Sequence, residues 1–319
     1  MKPERVRIVR RPVHGVLLLD KPLGLSSNDA LQRAKRLYRA EKAGHTGTLD
    51  PLATGLLPLC FGAATKFSQV SLDADKAYRA TLALGRTTST GDAEGEVLRE
   101  RPVKVTREQI DAVCRRFVGV ISQVPPMHSA LKLEGRALYD YARAGIEIER
   151  APREVRILAI DIVEWREERL VLDVRCSKGT YIRTLAEDIG EALGCGAHLA
   201  ALRRTASGAL RVEASITLEA LAALDEPARD ALLQPADTLL ADWPAVRLAD
   251  DEAGRFLSGL RRRIDAADAA QVRVYGPQRG AFLGSAHIAG GELIADRLLS
   301  PPEVQALLQV NARGHEVLA

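Results

Sequence analysis

The sequence predicts an α+β protein with a mixed or antiparallel central sheet, followed by a small β-barrel at the C-terminal end. Two observations support this prediction. Along most of the chain, the predicted strands and helices do not follow the repeating strand–helix order of a parallel α/β sheet. From about residue 246 onward, short strand-like segments alternate with glycine-rich turns, as in small barrels. A chain of 319 residues has room for one large domain and one small one, or for two domains of middle size.

The first elements lead into a glycine-rich segment. Residues 15–20 (GVLLLD) form a short apolar run that predicts a buried strand, ended by a Lys-Pro pair. The Ser-Ser-Asn-Asp stretch that follows offers helix N-caps, and apolar residues at helical spacing predict a helix to about Tyr38. Residues 44–55 (GHTGTLDPLATG) follow neither the two-residue period of a strand nor the 3.6-residue period of a helix. Their three glycines and one proline therefore predict a shaped loop.

The remaining elements follow from periodicity and capping signals. In the middle of the chain, apolar alternation predicts strands over residues 78–84, 155–164 and 170–176. Thr106 and Gln109 form a capping box before a helix, and Thr217 is a candidate N-cap. Further helices are predicted over residues 136–143, 181–193 and 218–224. In the tail we expect a helix over residues 252–260 and strands over residues 272–275, 280–288 and 292–298.

The charge is distributed unevenly. The net charge is only +3, but the first 80 residues carry 14 Lys and Arg against seven Asp and Glu. Two basic runs account for most of this excess: Arg5, Arg7, Arg10 and Arg11, then Arg33, Lys35, Arg36, Arg39 and Lys42. Such a surface suits a phosphate-rich partner, and it equally suits a solvated helix face beside a loose tail.

Cysteine usage and hydropathy argue against several other classes of protein. The four cysteines, Cys60, Cys114, Cys176 and Cys195, form no C-x-x-C pair and lie at no zinc-ligand spacing, so we expect free thiols and no metal site. No apolar run has the length of a membrane span, and the N-terminus lacks a signal-peptide core. We therefore expect a cytoplasmic protein that does not contact a membrane.

Asp50 is the strongest candidate for a chemically active residue. It precedes a proline, which biases its backbone toward extended conformations, and the glycines around it allow tight bends. Such a loop can hold one carboxylate in a fixed direction. An isolated Asp-Pro pair would equally suit a turn cap, so the longer string around it decides.

That string, GHTGTLDPLATGLLPLCFGAATK, resembles the catalytic motif of the TruB family of transfer RNA pseudouridine synthases. Four more segments are similar to family motifs, in the same order: LLLDKPLGLSSND, KAYRATLALGRTTSTGDAEG, QVPPMHSALKLEGRALYDYARAG and CSKGTYIRTLAEDIG. The resemblance covers about the first 210 residues. It implies a pseudouridine synthase catalytic domain over residues 1–245, with an RNA-binding insertion near residues 123–150. It also implies a PUA-like RNA-binding barrel over residues 246–319.

The resemblance also implies roles for individual residues. Asp50 matches the essential aspartate, and Arg183 matches an arginine that forms an ion pair with it. Tyr78 matches a tyrosine that stacks on the target base and is placed for proton transfer. Tyr181 and Leu202 match contacts to that base. The remaining matched residues are expected to contact RNA or to support the local frame: His45 and Asp92 at the flipped-out nucleotides, and Lys21 and Lys66 at phosphates or in the frame.

The implied reaction detaches uracil from N1, turns it and rejoins it through C5, at position 55 in the T-loop of transfer RNA. A carboxylate can serve as nucleophile or base at the sugar, and the sequence leaves the choice open between attack on C1′, attack on C6 and removal of the C2′ proton. We expect no cofactor. We expect the transfer RNA T stem-loop as partner, no obligatory protein partner, and a monomer. Arg261–Arg263 would face acceptor-side phosphates.

Three other interpretations stay open at this point. A non-catalytic transfer RNA folding factor on the same scaffold would bind RNA without needing Asp50. A nucleoside hydrolase or glycosidase would also use an aspartate, but it needs a second carboxylate for which the sequence shows no matching motif. A guide-RNA-dependent synthase would carry similar catalytic strings, and the segment over residues 123–145 favours the stand-alone bacterial form by resemblance.

Overall fold

The chain is described by a computed structural model, in which residues 9–129, 131–133 and 135–316 are placed well enough to describe. The helices of this part are α1 (Ser27–Leu37), α2 (Ser68–Asp73), α3 (Arg107–Arg116), α4 (Leu138–Arg143), α5 (Ile182–Ala192), α6 (Leu218–Ala223), α7 (Glu226–Ala231), α8 (Asp250–Leu257) and α9 (Pro301–Glu316). Three short 3₁₀ helices cover Gly62–Phe67, Val212–Ala214 and Ala236–Leu240.

The strands up to the middle of the chain are β1 (Gly15–Lys21), β2 (Ala43–His45), β3 (Ala53–Phe61), β4 (Lys76–Leu84), β5 (Arg86–Thr88), β6 (Val97–Glu100), β7 (Gly119–Gln123), β8 (Lys132–Leu133), β9 (Arg136–Ala137), β10 (Arg153–Arg166) and β11 (Arg169–Cys176). The later strands are β12 (Ala197–Ser207), β13 (Leu210–Arg211), β14 (Ile216–Thr217), β15 (Ala245–Arg247), β16 (Arg262–Arg263), β17 (Ala269–Tyr275), β18 (Phe282–Ala289) and β19 (Glu292–Leu298).

A ten-stranded sheet forms the body of the protein. Its main order is β14-β1-β3-β12-β4-β11-β10-β7, with β13 paired to β12 and β2 paired to β3. The β1–β14 and β3–β12 pairs are parallel, and the other pairs in this sheet are antiparallel. The sheet is therefore mixed, and the predicted α+β class is confirmed. Strand β12 lies between β3 and β4, so it brings a late part of the chain into the centre of the sheet.

The predicted capping signals are present. The Ser26 side chain accepts a hydrogen bond from the Asp29 backbone N–H and starts α1. Thr106 and Gln109 form the reciprocal capping box of α3, and Thr217 accepts from the Ala220 N–H at α6. Each cap satisfies a backbone donor that the first turn of a helix leaves unpaired, so these helices start at the predicted residues.

Two predictions needed correction. The loop predicted over residues 44–55 is shorter, because both of its ends are strands: β2 ends at His45 and β3 begins at Ala53. The helix predicted over residues 136–143 begins at Leu138, since Arg136 and Ala137 form the second strand of a small hairpin. The long central strand β12 was not predicted at all.

The C-terminal part forms a separate five-stranded sheet in the order β15-β17-β18-β19-β16, which confirms the predicted sheet-rich tail. It shares a hydrophobic core with the main sheet. Phe67 and Phe282 meet in this core with ring centroids 5.0 Å apart. The division at residues 245 and 246, and the insertion near residues 123–150, stay predictions. The latter segment holds the β8–β9 hairpin and α4.

Two further cores lie on the main sheet, one below α3 and α5 and one below α1 and α6. The four cysteines are buried free thiols, as predicted. Across the described residues, no helix combines the length and apolar character that crossing a bilayer would require.

Candidate active site

The short loop between β2 and β3 presents Asp50. The buried Ser27 hydroxyl binds both polar backbone groups of the preceding residue: the Leu49 N–H donates to it at 2.7 Å, and it donates to the Leu49 carbonyl at 3.1 Å. The Ala53 N–H closes the turn on the Asp50 carbonyl at 3.0 Å. These bonds fix the backbone on both sides of Asp50. Its side chain stays 44% exposed and faces a cavity.

Lys21 supports this loop from behind. Its ammonium is fully buried and donates to the carbonyls of Pro22 and Leu25. These two bonds stabilise the turn between Pro22 and Leu25. The Gly24 N–H of this turn donates to the Pro51 carbonyl at 2.9 Å. Burial lowers the pKa of Lys21 to about 8, against the opposing effect of Asp50. Of the two tasks considered for Lys21, the structure favours support of the local frame over contact with a phosphate.

Arg183 lies in the first turn of α5 and reaches Asp50. Its Nη2 lies 3.0 Å from Asp50 Oδ2, and its side chain is only 7% exposed. The same guanidinium donates to the carbonyls of Thr90 and His128. A planar fork with several donors suits this arrangement, because it can bind the carboxylate and still satisfy two backbone acceptors. The structure thus brings together the two residues that the sequence placed 133 positions apart.

Asp92 is the second carboxylate at Arg183. Its Oδ2 lies 3.3 Å from Arg183 Nη1, while its Oδ1 accepts from the Thr90 hydroxyl and the Glu94 N–H. The residue is only 3% exposed. The predicted contact between Asp92 and displaced nucleotides stays a prediction. The structure places it as a partner of Arg183.

Another part of the cavity lining is built by two neighbouring strands. Tyr78 on β4 lies directly across from Arg204 on β12, and Leu202 lies two residues before Arg204 on the same strand. Side chains two residues apart on a strand share one face, so Leu202 and Arg204 both line the cavity. Arg204 and Tyr78 thus form a directly opposed cross-strand pair in the lining of this cavity. Burial raises the pKa of the Tyr78 phenol, and Arg204 acts in the opposite direction.

Tyr181 completes the cavity at the start of α5. Its backbone is bound on both sides by the Gln123 amide, which accepts from the Tyr181 N–H at 3.0 Å and donates to its carbonyl at 3.2 Å. Gln123 is only 2% exposed. Neither Gln123 nor Arg204 is predicted as a functional residue from the sequence, although Gln123 lies in one of the family motifs. A buried polar residue is not recognisable before its partners are known.

The cavity has a volume of about 280 Å³, which suits a single nucleoside. Five of the predicted residues line it: Asp50, Tyr78, Tyr181, Arg183 and Leu202. It therefore presents an ion pair, two phenols and an apolar contact to one small ligand. Within the described residues, no group of three or more His, Cys, Asp or Glu could hold a metal ion.

Two predicted residues lie outside this lining. His45 is half-buried on β2 opposite Leu59, and burial lowers its pKa. Lys66 forms an ion pair with Glu303 at 2.6 Å and donates to the Leu298 carbonyl at 3.0 Å. It thus connects the end of the catalytic motif to the C-terminal part of the chain. Like Lys21, it supports the local frame.

The predicted basic surfaces are partly neutralised. Arg11 pairs with Asp230, and Arg39 pairs with Glu226. Near the C-terminal sheet, Arg261 pairs with Glu292, and Arg262 pairs with Glu252. Arg10, Arg33, Arg36 and Arg263 are exposed, whereas Arg5 and Arg7 lie outside the described residues.

Comparison with known proteins shows which family the chain belongs to. The sequence matches the TruB family pseudouridylate synthase N-terminal domain over residues 35–182, and a tRNA pseudouridylate synthase B C-terminal domain over residues 183–241. A third match, to the C-terminal domain of pseudouridine synthase II TruB, covers residues 244–299. The chain belongs to the TruB family.

Relatives of this TruB-family chain agree along nearly its whole length. It is 60% identical to tRNA pseudouridine synthase B of Verminephrobacter eiseniae, covering 95% of this chain and 94% of that protein. It is 61% identical to the protein of the same name from Ralstonia pickettii, covering 91% and 95%. The predicted family is thereby confirmed.

Solved structures show the same architecture. The TruB-family chain is similar to a chain of an archaeal box H/ACA sRNP Nop10–Cbf5 complex, with a TM-score of 0.70, 25% identity, and coverage of 92% of this chain and 88% of that one. A Cbf5–Nop10–Gar1 complex gives a TM-score of 0.71 at 27% identity, with coverage of 94% and 89%. The C-terminal five-stranded sheet is the PUA-like part of this fold.

Proposed function

We propose that this chain isomerises uridine to pseudouridine in transfer RNA, and that its target is the T-loop uridine at position 55. Family membership and relatives named tRNA pseudouridine synthase B support the reaction. The observation that carries the proposal is the position of the Asp50–Arg183 pair, which opens into a nucleoside-sized cavity that Tyr78 also lines. A folding factor that only bound RNA would not need this pair.

Arg183 orients Asp50 and leaves it reachable. Its Nη2 lies 3.0 Å from Asp50 Oδ2 and fixes the direction of the carboxylate. Because nearly half of the Asp50 side chain is exposed to the cavity, the carboxylate can still contact a sugar or a base. It can therefore act as the nucleophile or base that detaches uracil from N1.

The target uridine lies within a folded stem-loop and has to leave its stack before the reaction. Flipping a base costs on the order of a few kcal/mol, which aromatic and apolar contacts in the pocket offset. Tyr78, Tyr181 and Leu202 line the cavity and supply such contacts. Exposed arginines, including Arg33 and Arg36 on α1, are available for phosphates of the stem.

After the uracil rejoins the ribose through C5, that carbon still carries its hydrogen. The C5–H bond breaks to restore the C5=C6 double bond. Tyr78 lines the same cavity as Asp50 and Arg183, and we assign this proton transfer to its phenol oxygen. Asp50, Tyr78 and Arg183 are thus the proposed catalytic group, while Lys21 and Asp92 hold it in place.

The resemblance further leads us to propose a monomer that acts without an obligatory protein partner. Because the substrate is transfer RNA, we propose that the reaction takes place where transfer RNA matures, which in bacteria is the cytoplasm. Light scattering on the purified chain, with and without transfer RNA, tests the oligomeric state. A stable dimer would contradict this part of the proposal.

The reaction is tested with purified chain, an unmodified transfer RNA and no added metal or cofactor. Conversion is measured at every uridine for the wild type and for Asp50→Asn. We expect conversion at the T-loop uridine alone, lost in Asp50→Asn by at least about 10⁴-fold, while RNA affinity stays nearly unchanged because the cavity keeps its shape. Asp161→Asn, on the exposed side of β10, is the matched control and should convert at the wild-type rate.

Each outcome of this assay is informative. Clear product from Asp50→Asn would mean that another residue performs the chemistry. Tight binding by both proteins without any product would favour the folding factor or a guide-dependent synthase. Conversion at a different uridine would keep the reaction and overturn the assigned position.

A further inference from the structure

Arg204 is the largest of the fully buried side chains, with only 1% of the residue exposed. It lies on β12 in the middle of the main sheet, opposite Gly55 of β3 on one side and Tyr78 of β4 on the other. The neighbouring Arg203 points to the other face and pairs with Asp20 at 2.7 Å. Two adjacent arginines on one strand therefore have opposite surroundings.

The guanidinium of Arg204 binds two backbone acceptors. It donates to the Leu56 carbonyl at 2.6 Å and to the Gly47 carbonyl at 3.3 Å, and its residue is paired across the strands with Tyr78. Gly47 belongs to the Asp50 loop, so one side chain joins that loop to the Tyr78 wall. Among the described residues, no carboxylate forms an ion pair with Arg204.

A buried guanidinium without an anion is unfavourable, because its desolvation is only partly offset by neutral acceptors. The acidic group on the residue paired with it across the strands is the Tyr78 phenol, which lines the same cavity. Burial lowers the pKa of Arg204 and raises the pKa of Tyr78, and each residue opposes the shift of the other. An ionised Tyr78 would give this guanidinium the counter-charge that it otherwise lacks.

We infer that Arg204 is a positioning residue that acts through Tyr78: it holds the phenol oxygen at the target base and stabilises the phenolate that removes the C5 proton. This inference rests on the proposed function. It deepens that function by naming the group that makes the half-buried Tyr78 competent as a base.

The removal of the C5 proton conserves protons and electrons. Tyr78 first loses its proton to solvent. Once C5 is bonded to C1′, the phenolate takes the C5 proton, and the electron pair of the C5–H bond forms the C5=C6 double bond. The C6=N1 electron pair moves onto N1, which takes a proton from water. Tyr78 is then a neutral phenol again and the product is an isomer of the substrate.

The test measures single-turnover conversion of a T stem-loop RNA that carries either protium or deuterium at C5 of the target uridine. Arg204→Lys keeps the charge but cannot bind the Leu56 and Gly47 carbonyls in a fixed fork. We expect its rate to fall at least about tenfold, as for loss of support to a general base. RNA affinity should change little, and the ratio of the protium to the deuterium rate should rise above the wild-type ratio, because C5 proton removal becomes slower.

Arg203→Lys is the matched control, since it makes the same change one residue away on the opposite face. It should leave the rate and the isotope ratio at wild-type values. A slower Arg204→Lys with an unchanged isotope ratio would overturn the inference, because the residue would then act only through structure or at another step. A wild-type rate in Arg204→Lys would overturn it as well.

A neutral variant, Arg204→Gln, tests the contribution of the Arg204 charge. It also tests the inference if Arg204→Lys does not fold. Without the guanidinium the phenolate is less favourable, so the pH at which the rate levels off should move upward. Other titratable and charged groups also face this pair: Asp50 and Cys176 near Tyr78, and Lys21, His45 and Lys76 near Arg204. They are unchanged in the variant, and an unshifted pH profile would contradict the inference.

The assay separates this inference from the proposed function. If the wild type makes no pseudouridine, the proposed function fails. If the wild type makes it and the Arg204 variants match the wild type in rate, isotope ratio and pH profile, the function stands and only the inference about Arg204 fails.

Discussion

The two walls of the cavity each contain a buried arginine, but the two arginines have opposite partners. One wall, the ionic wall, is made by loops and the start of α5, and there Arg183 lies beside two carboxylates, Asp50 and Asp92. The other, the sheet wall, is made by β4 and β12, and there Arg204 lies beside a phenol and backbone carbonyls. The first arrangement pairs a guanidinium with two carboxylates. The second pairs a guanidinium with a phenol, whose ionisation we propose as part of the reaction. The partner, more than the residue type, therefore sets what a buried arginine does.

Removing the arginine of the ionic wall should have the largest effect. Arg183→Ala leaves Asp92 buried without its cation, so we expect the free energy of unfolding to fall by about 3 kcal/mol, together with loss of turnover. Chemical denaturation measures the first and the conversion assay the second. Arg203→Ala removes a more exposed pair with Asp20 and should cost about 1 kcal/mol or less.

The expected loss of stability comes from Asp92 and not from Asp50. In the structure the Asp50 side chain is 44% exposed, whereas that of Asp92 is 4% exposed. The stability loss should therefore disappear in the double variant Arg183→Ala with Asp92→Asn. If it persists, Asp92 is not its source.

The sheet wall should be sensitive to added volume, because β3 and β12 lie very close together. Gly55 has a φ of 98°, and a methyl group there would lie 2.3 Å from the Arg204 carbonyl oxygen. We expect Gly55→Ala to lower the free energy of unfolding by about 2 kcal/mol. Gly44→Ala, in the same motif, has no atom within 4 Å of the added carbon and is the control. Equal stability of the two variants would show that the strands can separate without cost.

The smallest expected effect concerns a third carboxylate beside the ionic wall. Burial raises the pKa of Glu187 from 4.5 to about 6, helped by Asp188 and opposed by Arg183. The folded state thus favours the protonated form. The stability that Glu187 contributes is complete below pH 4.5 and is lost as the pH rises through 6.

Glu187→Gln cannot ionise, so the wild type should lose thermal stability relative to this variant between about pH 4.5 and 6.5. Thermal unfolding of both proteins across this range measures the difference. Two parallel curves would mean that Glu187 is solvated in both states.

The sequence predicted the ionic wall far better than the sheet wall. Asp50 and Arg183 belong to strings with distinctive glycines and threonines, and the caps of α1 and α3 are local signals. Strand β12 (AHLAALRRTAS) has no such signal, because alanines and paired arginines also suit a helix or a loop. Its strand conformation depends on β3 and β4, which lie on either side of it and are distant in sequence.

For the same reason, sequence reasoning gave Lys21 and Lys66 a wider choice of tasks than the structure does. A lysine in a motif is equally suited to a phosphate and to buried carbonyls. Only the folded chain shows that Lys21 binds the carbonyls of its own turn and that Lys66 binds Glu303.

The central position of β12 also bears on how the protein is made. During synthesis from the N-terminus, β3 and β4 leave the ribosome more than 100 residues before β12, yet β12 belongs between them. The two early strands cannot complete the sheet with each other, and contacts so distant in sequence form slowly. Until β12 inserts, Tyr78 lacks Arg204 and the cavity lacks one wall. A nascent chain therefore cannot modify RNA before nearly the whole catalytic part has been synthesised.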